Sequence, residues 1–327
     1  MMAPGGMYMK QMLKNLVFSL AMGMVIPYLF LSFGVTLLNR YRAQLQPEIP
    51  ILKEQKEQST VSLPVRLHTA ADSVADMDMD EYLVGVLLAE MPAFFEIEAL
   101  KAQSVVARTY ARKAYVTGGK HGDGGICTES SCCQGYRPVG AYLAEGGTLE
   151  NVEKIRSAVL ATSGYVLTYG DDLIEATYFS CSGGRTEDAV AVWGTDFPYL
   201  QAVNSPGEEH AAYYTDVKTM SEQEFADVLN ISSPMLGETV YTEGGGIHTM
   251  VIGGKTFTGT ELRARLGLRS TAISITRQDS RIRIETRGYG HRVGMSQYGA
   301  DAMANEGSDW QEILAHYYTG VTITILS

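Results

Sequence analysis

From Leu16 to Leu38 the chain carries no charged residue, and a run of that length and character has few folding options. A bilayer core asks for about 20 apolar residues in helical form, so the run is read as one membrane-spanning helix. Lys10 and Lys14 flank one end, and Arg40 and Arg42 the other. Pro27 is tolerable there, because spanning helices absorb kinks. A cleaved signal peptide fits less well. The run exceeds a usual signal core, and no small-x-small cleavage site follows it. The expected order is a short cytoplasmic tail over 1–15, the span over 16–38, a linker over 39–63 and a folded, extracytoplasmic region over 64–327. Pro47, Pro50 and the polar run KEQKEQST mark the linker, which has no sustained apolar period.

Beyond the linker the pattern is mixed. PVRLHTA alternates like a strand. MDMDEYLVGVLLAEMP starts a helix, with Asp80 as the expected cap and Pro92 as its stop. A second helix is expected over about 95–116, then a Gly- and Cys-containing loop over about 118–137 and a third helix over about 149–162. Hairpins are expected around Gly170-Asp171 and Gly253-Gly254, RIRIETRGYG reads as an alternating strand, and Asp309 to Tyr318 as a helix. No regular strand–helix–strand alternation runs through these elements, so the fold class is α+β, with a small inserted lobe expected over about 216–275. The formal net charge of −11 argues against nucleic acid as a partner, since phosphate binding needs clustered Lys and Arg.

Three constellations carry chemistry. Glu90 shares a helical stripe with Leu83, Val86 and Leu87. Burial of a carboxyl raises its pKa, which is what a general acid needs, although a frayed surface glutamate has the same spacing. On the next helix Lys101, Gln103, Ser104 and Arg108 stand among alanines and valines, where polar groups need partners. In HGDGGICTESSCC, His121, Cys127 and Cys133 offer imidazole and thiolate ligands, and four cysteines in the chain leave disulfides equally open. YFSCSGG and GYGHRVGMSQYGA supply Ser180, Ser182, His291, Ser296 and Gln297, either as a polar cleft or as tight turns.

AEMPAFFEIEALKAQSVVARTYA, YFSCSGGRTED and GYGHRVGMSQYGA, in that order, resemble the SpoIID/LytB family. The resemblance covers most of the chain from about Pro64. It implies a lytic transglycosylase that cuts peptidoglycan glycan strands stripped of stem peptides, working in septal thinning and engulfment beside a SpoIIP-like amidase and a SpoIIM-like membrane protein. It implies Glu90 as the catalytic acid and Lys101, Gln103, Ser104 and Arg108 as glycan contacts. It also implies zinc on His121, Cys127 and Cys133. The other reading is a glycan-binding module that stimulates an amidase without cutting. The chain departs from the family pattern at Arg292, where glycine is expected, at Cys132, where histidine is expected, and at Cys181 in the S-x-S-G-G turn.

Overall fold

The computed structural model describes residues 64–69 and 73–326; the expected span and linker lie outside them. Among the described residues no helix is long and apolar enough to cross a membrane. These residues form a mixed α+β structure of nine helices and several small sheets.

The larger core is organised by two consecutive helices, Met79–Glu90 (α1) and Ile97–Thr117 (α2). Helix α1 is capped by Asp78, whose carboxylate accepts from the N–H groups of Asp80 at 2.9 Å and Glu81 at 3.3 Å. The cap is two residues earlier than expected because Asp80 is drawn to an ion pair with Arg108. Tyr82, Leu83, Val84, Val86, Leu87 and Leu88 are all buried, so α1 is enclosed on nearly every side. It stops before Pro92, which forces the preceding residue out of helical geometry. Helix α2 ends at Gly118, whose φ of 88° suits the left-handed cap.

Helices Val139–Ala144 (α3) and Leu149–Ala161 (α4) follow the cysteine loop, and α4 packs on both α1 and α2. A short helix, Ala189–Trp193 (α5), comes after the S-C-S-G-G turn. The alanine-rich face of α2 also meets strand Tyr165–Tyr169, which pairs with Thr322–Ile325 and Asp172–Leu173 around the Gly170 turn.

A second hydrophobic core is separate from the first. It holds Met220, Phe225, Leu229, Ile247, Met250, Ile252, Phe257, Leu262, Leu266, Ile273, Ile282 and Ile284. Helices Glu222–Leu229 (α6) and Gly259–Leu266 (α7) cover two three-stranded antiparallel sheets. The strand Arg281–Arg287 alternates buried and more exposed residues along its length, as a half-buried strand must. The chain then returns to the first core through Gln297–Asn305 (α8) and Trp310–Tyr317 (α9). Helix α9 carries a full capping box between Asp309 and Glu312.

Candidate functional site

Glu90 is the last residue of α1 and is partly buried. Its Oε1 accepts one hydrogen bond, from the backbone N–H of Gly135, at 2.5 Å. Burial raises its pKa, and that single N–H offsets only part of the effect. Gly135 comes from the loop that follows the cysteines. A Cβ there would lie 2.7 Å from Oε1, so a larger residue would push the carboxylate from its place. The same loop lies against α1 at Gly85, where a Cβ would meet the Tyr136 ring at 2.2 Å. Tyr136 stacks on Tyr82, with centroids 5.7 Å apart and an interplanar angle of 6°.

Beside Glu90 runs a chain of neutral donors. Tyr82 Oη donates to Gln134 Oε1 at 3.1 Å, and Gln134 Nε2 donates to Tyr178 Oη at 3.3 Å. Burial pushes both phenols well above their ordinary value, and the charge of Glu90 adds to this. Both therefore keep their protons at neutral pH. Glu90 is left as the group in this cluster able to exchange one.

The cysteine loop folds back on itself. His121, Cys127, Cys132 and Cys133 offer ligand atoms that all lie within 4.8 Å of one another, a cluster that could hold a metal ion. Cys133 Sγ is 3.5 Å from His121 Nε2 and 3.8 Å from Cys132 Sγ, and Cys132 Sγ is 3.9 Å from His121 Nε2. All four cysteines are free thiols, so neither Cys132 nor Cys181 is in a disulfide. The loop is anchored by strand Ile126–Cys127, which pairs in parallel with Leu67 and His68. His68 stacks on His121 at 4.8 Å and is held by Asp123 at 3.1 Å. Gln134 and Gly135 follow Cys133 directly, so the cluster fixes the residues that address Tyr82, Tyr178 and Glu90.

The residues expected on the glycan-contacting face of α2 separate. Arg108 is fully buried and bonds Asp80 at 3.0 Å, Ser104 Oγ, and the carbonyls of Val159 and Tyr165. Arg108 and Ser104 thus tie α1, α4 and the Tyr165 strand together and are closed to a ligand. Lys101 is part-exposed and pairs with Glu98 at 2.6 Å. Gln103 is fully buried, and among the described residues neither its amide nitrogen nor its oxygen has a partner. No hydrogen bond among the described residues joins Lys101 or Gln103 to Glu90.

The two Ser- and Gly-rich segments meet around a buried carboxylate. Ser182 and Ser296 are fully buried, and both hydroxyls donate to Glu208, at 2.8 and 2.5 Å. Glu208 further accepts from the N–H groups of Ser182 and Gly183, from Ser205 Oγ and from Cys181 Sγ. Burial, helped by the Glu208 charge, pushes the Cys181 thiol up to about 12, so it stays a donor. Ser180 is part-exposed, and its hydroxyl has no partner among the described residues. Gln297 is buried, with its amide nitrogen unpartnered. Val293 N–H donates to His291 Nδ1 at 3.1 Å. Burial, with the nearby Arg263 charge, pushes His291 down to about 4, so it is neutral near pH 7.

Arg292 adopts φ 67°, a backbone region natural for the expected glycine. Its buried guanidinium bonds Glu187 at 2.9 Å and the carbonyls of Ser182, Arg185 and Gly244. Glu187 in turn accepts from Thr242 Oγ1 and Gly246 N–H. Arg292 is thus an ion-paired staple across three loops. Sequence reading missed Glu208 and Gln134, which carry no motif of their own. The signal for Glu208 was the surplus of hydroxyl and amide donors in S-C-S-G-G, which demands an acceptor.

Known proteins resemble this chain over most of its length. The family described as SpoIID, stage II sporulation protein, matches residues 68–169. Stage II sporulation protein D of Bacillus amyloliquefaciens is 39% identical over 283 residues, covering 84% of this chain and 81% of that protein. The protein of the same name from Bacillus subtilis is 39% identical over 279 residues, covering 83% and 81%. An amidase enhancer from Bacillus subtilis is 31% identical over 300 residues, covering 74% of this chain and 40% of that protein.

Proposed function

The chain belongs to the SpoIID family of sporulation proteins, and on that premise we propose that it is a peptidoglycan lytic transglycosylase acting on glycan strands stripped of stem peptides. The bond cleaved joins N-acetylmuramic acid to N-acetylglucosamine, in septal thinning and engulfment. The observation that carries this is Glu90, a carboxyl whose pKa is raised by burial, with one backbone donor and no other carboxylate among the groups that shift it. Ordinary glycosidases use two carboxyl groups. Asp188 is occupied as the cap of α5, accepting from Val190 N–H at 2.8 Å.

One carboxyl group suffices when the substrate supplies the nucleophile. Protonated Glu90 gives its proton to the glycosidic oxygen as the bond to C1 of the muramoyl residue breaks. The carboxylate left behind takes the proton of that residue's C6 hydroxyl, whose oxygen closes onto C1. The product is a 1,6-anhydro end, and Glu90 is protonated again. Gly135 N–H favours the carboxylate midway, while Tyr178, whose oxygen accepts from Gln134, keeps its own O–H to donate. Phe94, 73% exposed in the turn after Glu90, offers a ring to a sugar face. Lys101 and Ser180 are accessible for contact with the strand.

The cysteine cluster is proposed as a zinc site. A tetrahedral zinc with Zn–S of about 2.3 Å has sulfur atoms about 3.8 Å apart, which fits Cys132 and Cys133. His121, Cys127, Cys132 and Cys133 would give four protein ligands, one more than the three implied by resemblance. Such a closed shell supplies structural bonding, not a reactive water. The span over 16–38 is proposed to anchor the chain in the membrane, with the catalytic region outside the cytoplasm. SpoIIP-like amidase and SpoIIM-like membrane protein are the proposed partners.

The similarity to an amidase enhancer favours a second reading, in which the chain binds glycan and stimulates an amidase. Mass spectrometry of denuded strands treated with the protein separates the two. Anhydro ends support cleavage by this chain. Reducing ends would overturn the mechanism, and intact strands would leave the binding module.

A further inference from the structure

Phe94 is one member of a closed circuit of contacts that begins and ends at Glu90. Gly135 N–H reaches the Glu90 carboxylate, and Gln134, the residue before Gly135, donates to Tyr178 Oη. Ser180 lies two residues after Tyr178, and its carbonyl accepts from Tyr298 N–H at 3.0 Å. The Tyr298 ring meets Phe95 edge to face at 4.9 Å, and Phe95 meets Phe94 in the same way at 5.2 Å. Phe94 follows Glu90 by four residues, so even a fully extended chain would keep the two within about 14 Å. Gln134 and Phe95 are buried and back the circuit. Glu90, Gly135, Tyr178, Ser180 and Tyr298 are part-exposed, and Phe94 is exposed.

A lone exposed ring is ordinary on a protein surface. Phe94 differs in how firmly its turn is held. Phe95 N–H donates to the Pro92 carbonyl at 3.1 Å, Lys154 Nζ donates to the Phe95 carbonyl at 2.6 Å, and Glu96 N–H donates to Asp301 Oδ1 at 2.7 Å. Asp301 stands on α8, as does Tyr298, so one helix carries both the anchor of the turn and the second ring. Fixing an exposed apolar ring does little for folding, but it lowers the ordering cost when a ligand lands on it. The polar complement is close by. The hydroxyls of Tyr298 and Ser180 make no hydrogen bond among the described residues. An apolar ring with free hydroxyls on the same circuit suits a sugar, which has C–H faces and a polar rim.

We propose that Phe94 and Tyr298 form a platform for a sugar of the glycan strand next to the bond at Glu90. Phe94 takes an apolar sugar face, and the Tyr298 and Ser180 hydroxyls bond its polar rim. This rests on the glycan reading above and names where the strand runs from the acid: over the turn after Pro92, towards the start of α8.

The test uses the full-length protein in detergent with Glu90→Gln to prevent turnover, and measures binding to amidase-stripped glycan strands. Adding Phe94→Ala should weaken binding about tenfold, the scale of a ring face covered by a ligand. Phe94→Trp should keep the affinity. Tyr298→Phe, which leaves the ring against Phe95, should weaken binding about threefold, the scale of one neutral hydrogen bond. Tyr241→Ala removes a ring 58% exposed on a strand of the second core's sheets and should change nothing. Unchanged affinity in Phe94→Ala, or an equal loss in Tyr241→Ala, would overturn the platform and leave the glycan reading standing. A folded parent that binds no strand would overturn both.

Discussion

Glu90 and Glu208 are carboxylates withdrawn from water in the same molecule, and they are treated in opposite ways. Glu208 is fully buried and accepts from two backbone N–H groups, three hydroxyls and a thiol. Its lone pairs are occupied, and its anion is the hub that joins segments near Cys181, Ser205 and Ser296. Glu90 accepts from one N–H, and burial raises its pKa. The first is framework because its donors are complete. The second is fit for proton transfer because they are not. Burial alone therefore does not mark a catalytic carboxyl; the number of donors aimed at it does.

The strongest way to break this contrast is Glu208→Ala. It strands several buried donors at about 1–3 kcal/mol each, so the fold should lose more than about 3 kcal/mol. Thermal unfolding should drop by about 6 °C or more, or the chain should fail to fold. A soluble variant with wild-type melting would show that Glu208 is not the hub. Next comes Glu90→Gln, which should stay folded and lose cleavage of denuded strands by about a hundredfold or more. Undiminished turnover would remove Glu90 from the acid role.

A smaller effect is expected at the loop that supplies Glu90's one donor. Cys132→Ser, or chelation of wild type, should weaken metal retention by at least about tenfold and loosen the loop. Hydrogen exchange should rise at Gly135 while the backbone of Ser182 and Gly183 stays protected. Equal protection in both places would detach the cluster from the active carboxyl.

The smallest effect is in stability against pH. The folded pKa of Glu90 lies above its unfolded value, so the folded state holds the extra proton between the two. Its contribution is present below the ordinary carboxylate range and is lost as pH rises through the raised value. Glu90→Gln mimics the protonated form. It should melt with wild type at pH 4 and slightly above it at pH 8. The reverse order would mean that the Glu90 anion is stabilised by the fold.

Parts of this contrast are legible in the amino-acid order alone. A glutamate ending an aliphatic stripe two residues before Pro92 reads as a candidate desolvated acid, although a frayed surface glutamate has the same spacing. Clustered Cys and His residues in one Gly-rich loop leave a metal and disulfides equally open, and the folded loop brings Cys132 together with His121, Cys127 and Cys133. The partner of Arg108 is not legible from spacing. Its position on the helix puts it beside Lys101, but its partner is Asp80, on the preceding helix. Ser182 and Ser296 stand out as polar residues needing partners, yet the partner is a glutamate near neither in sequence.

The sequence by itself determined the kinds and order of the elements: the alternating strand Arg281–Arg287, the hairpins at Gly170 and Gly253-Gly254, and the helices bounded by Pro92, Gly118 and Asp309. It also determined which residue types could do acid and metal chemistry. Only the tertiary structure decided which polar groups face a ligand and which hold the frame. Periodicity records how far a side chain is buried, because that depends on its own element. A hydrogen bond depends on two groups, and in Glu208, Arg108 and Arg292 the second group comes from a distant part of the chain.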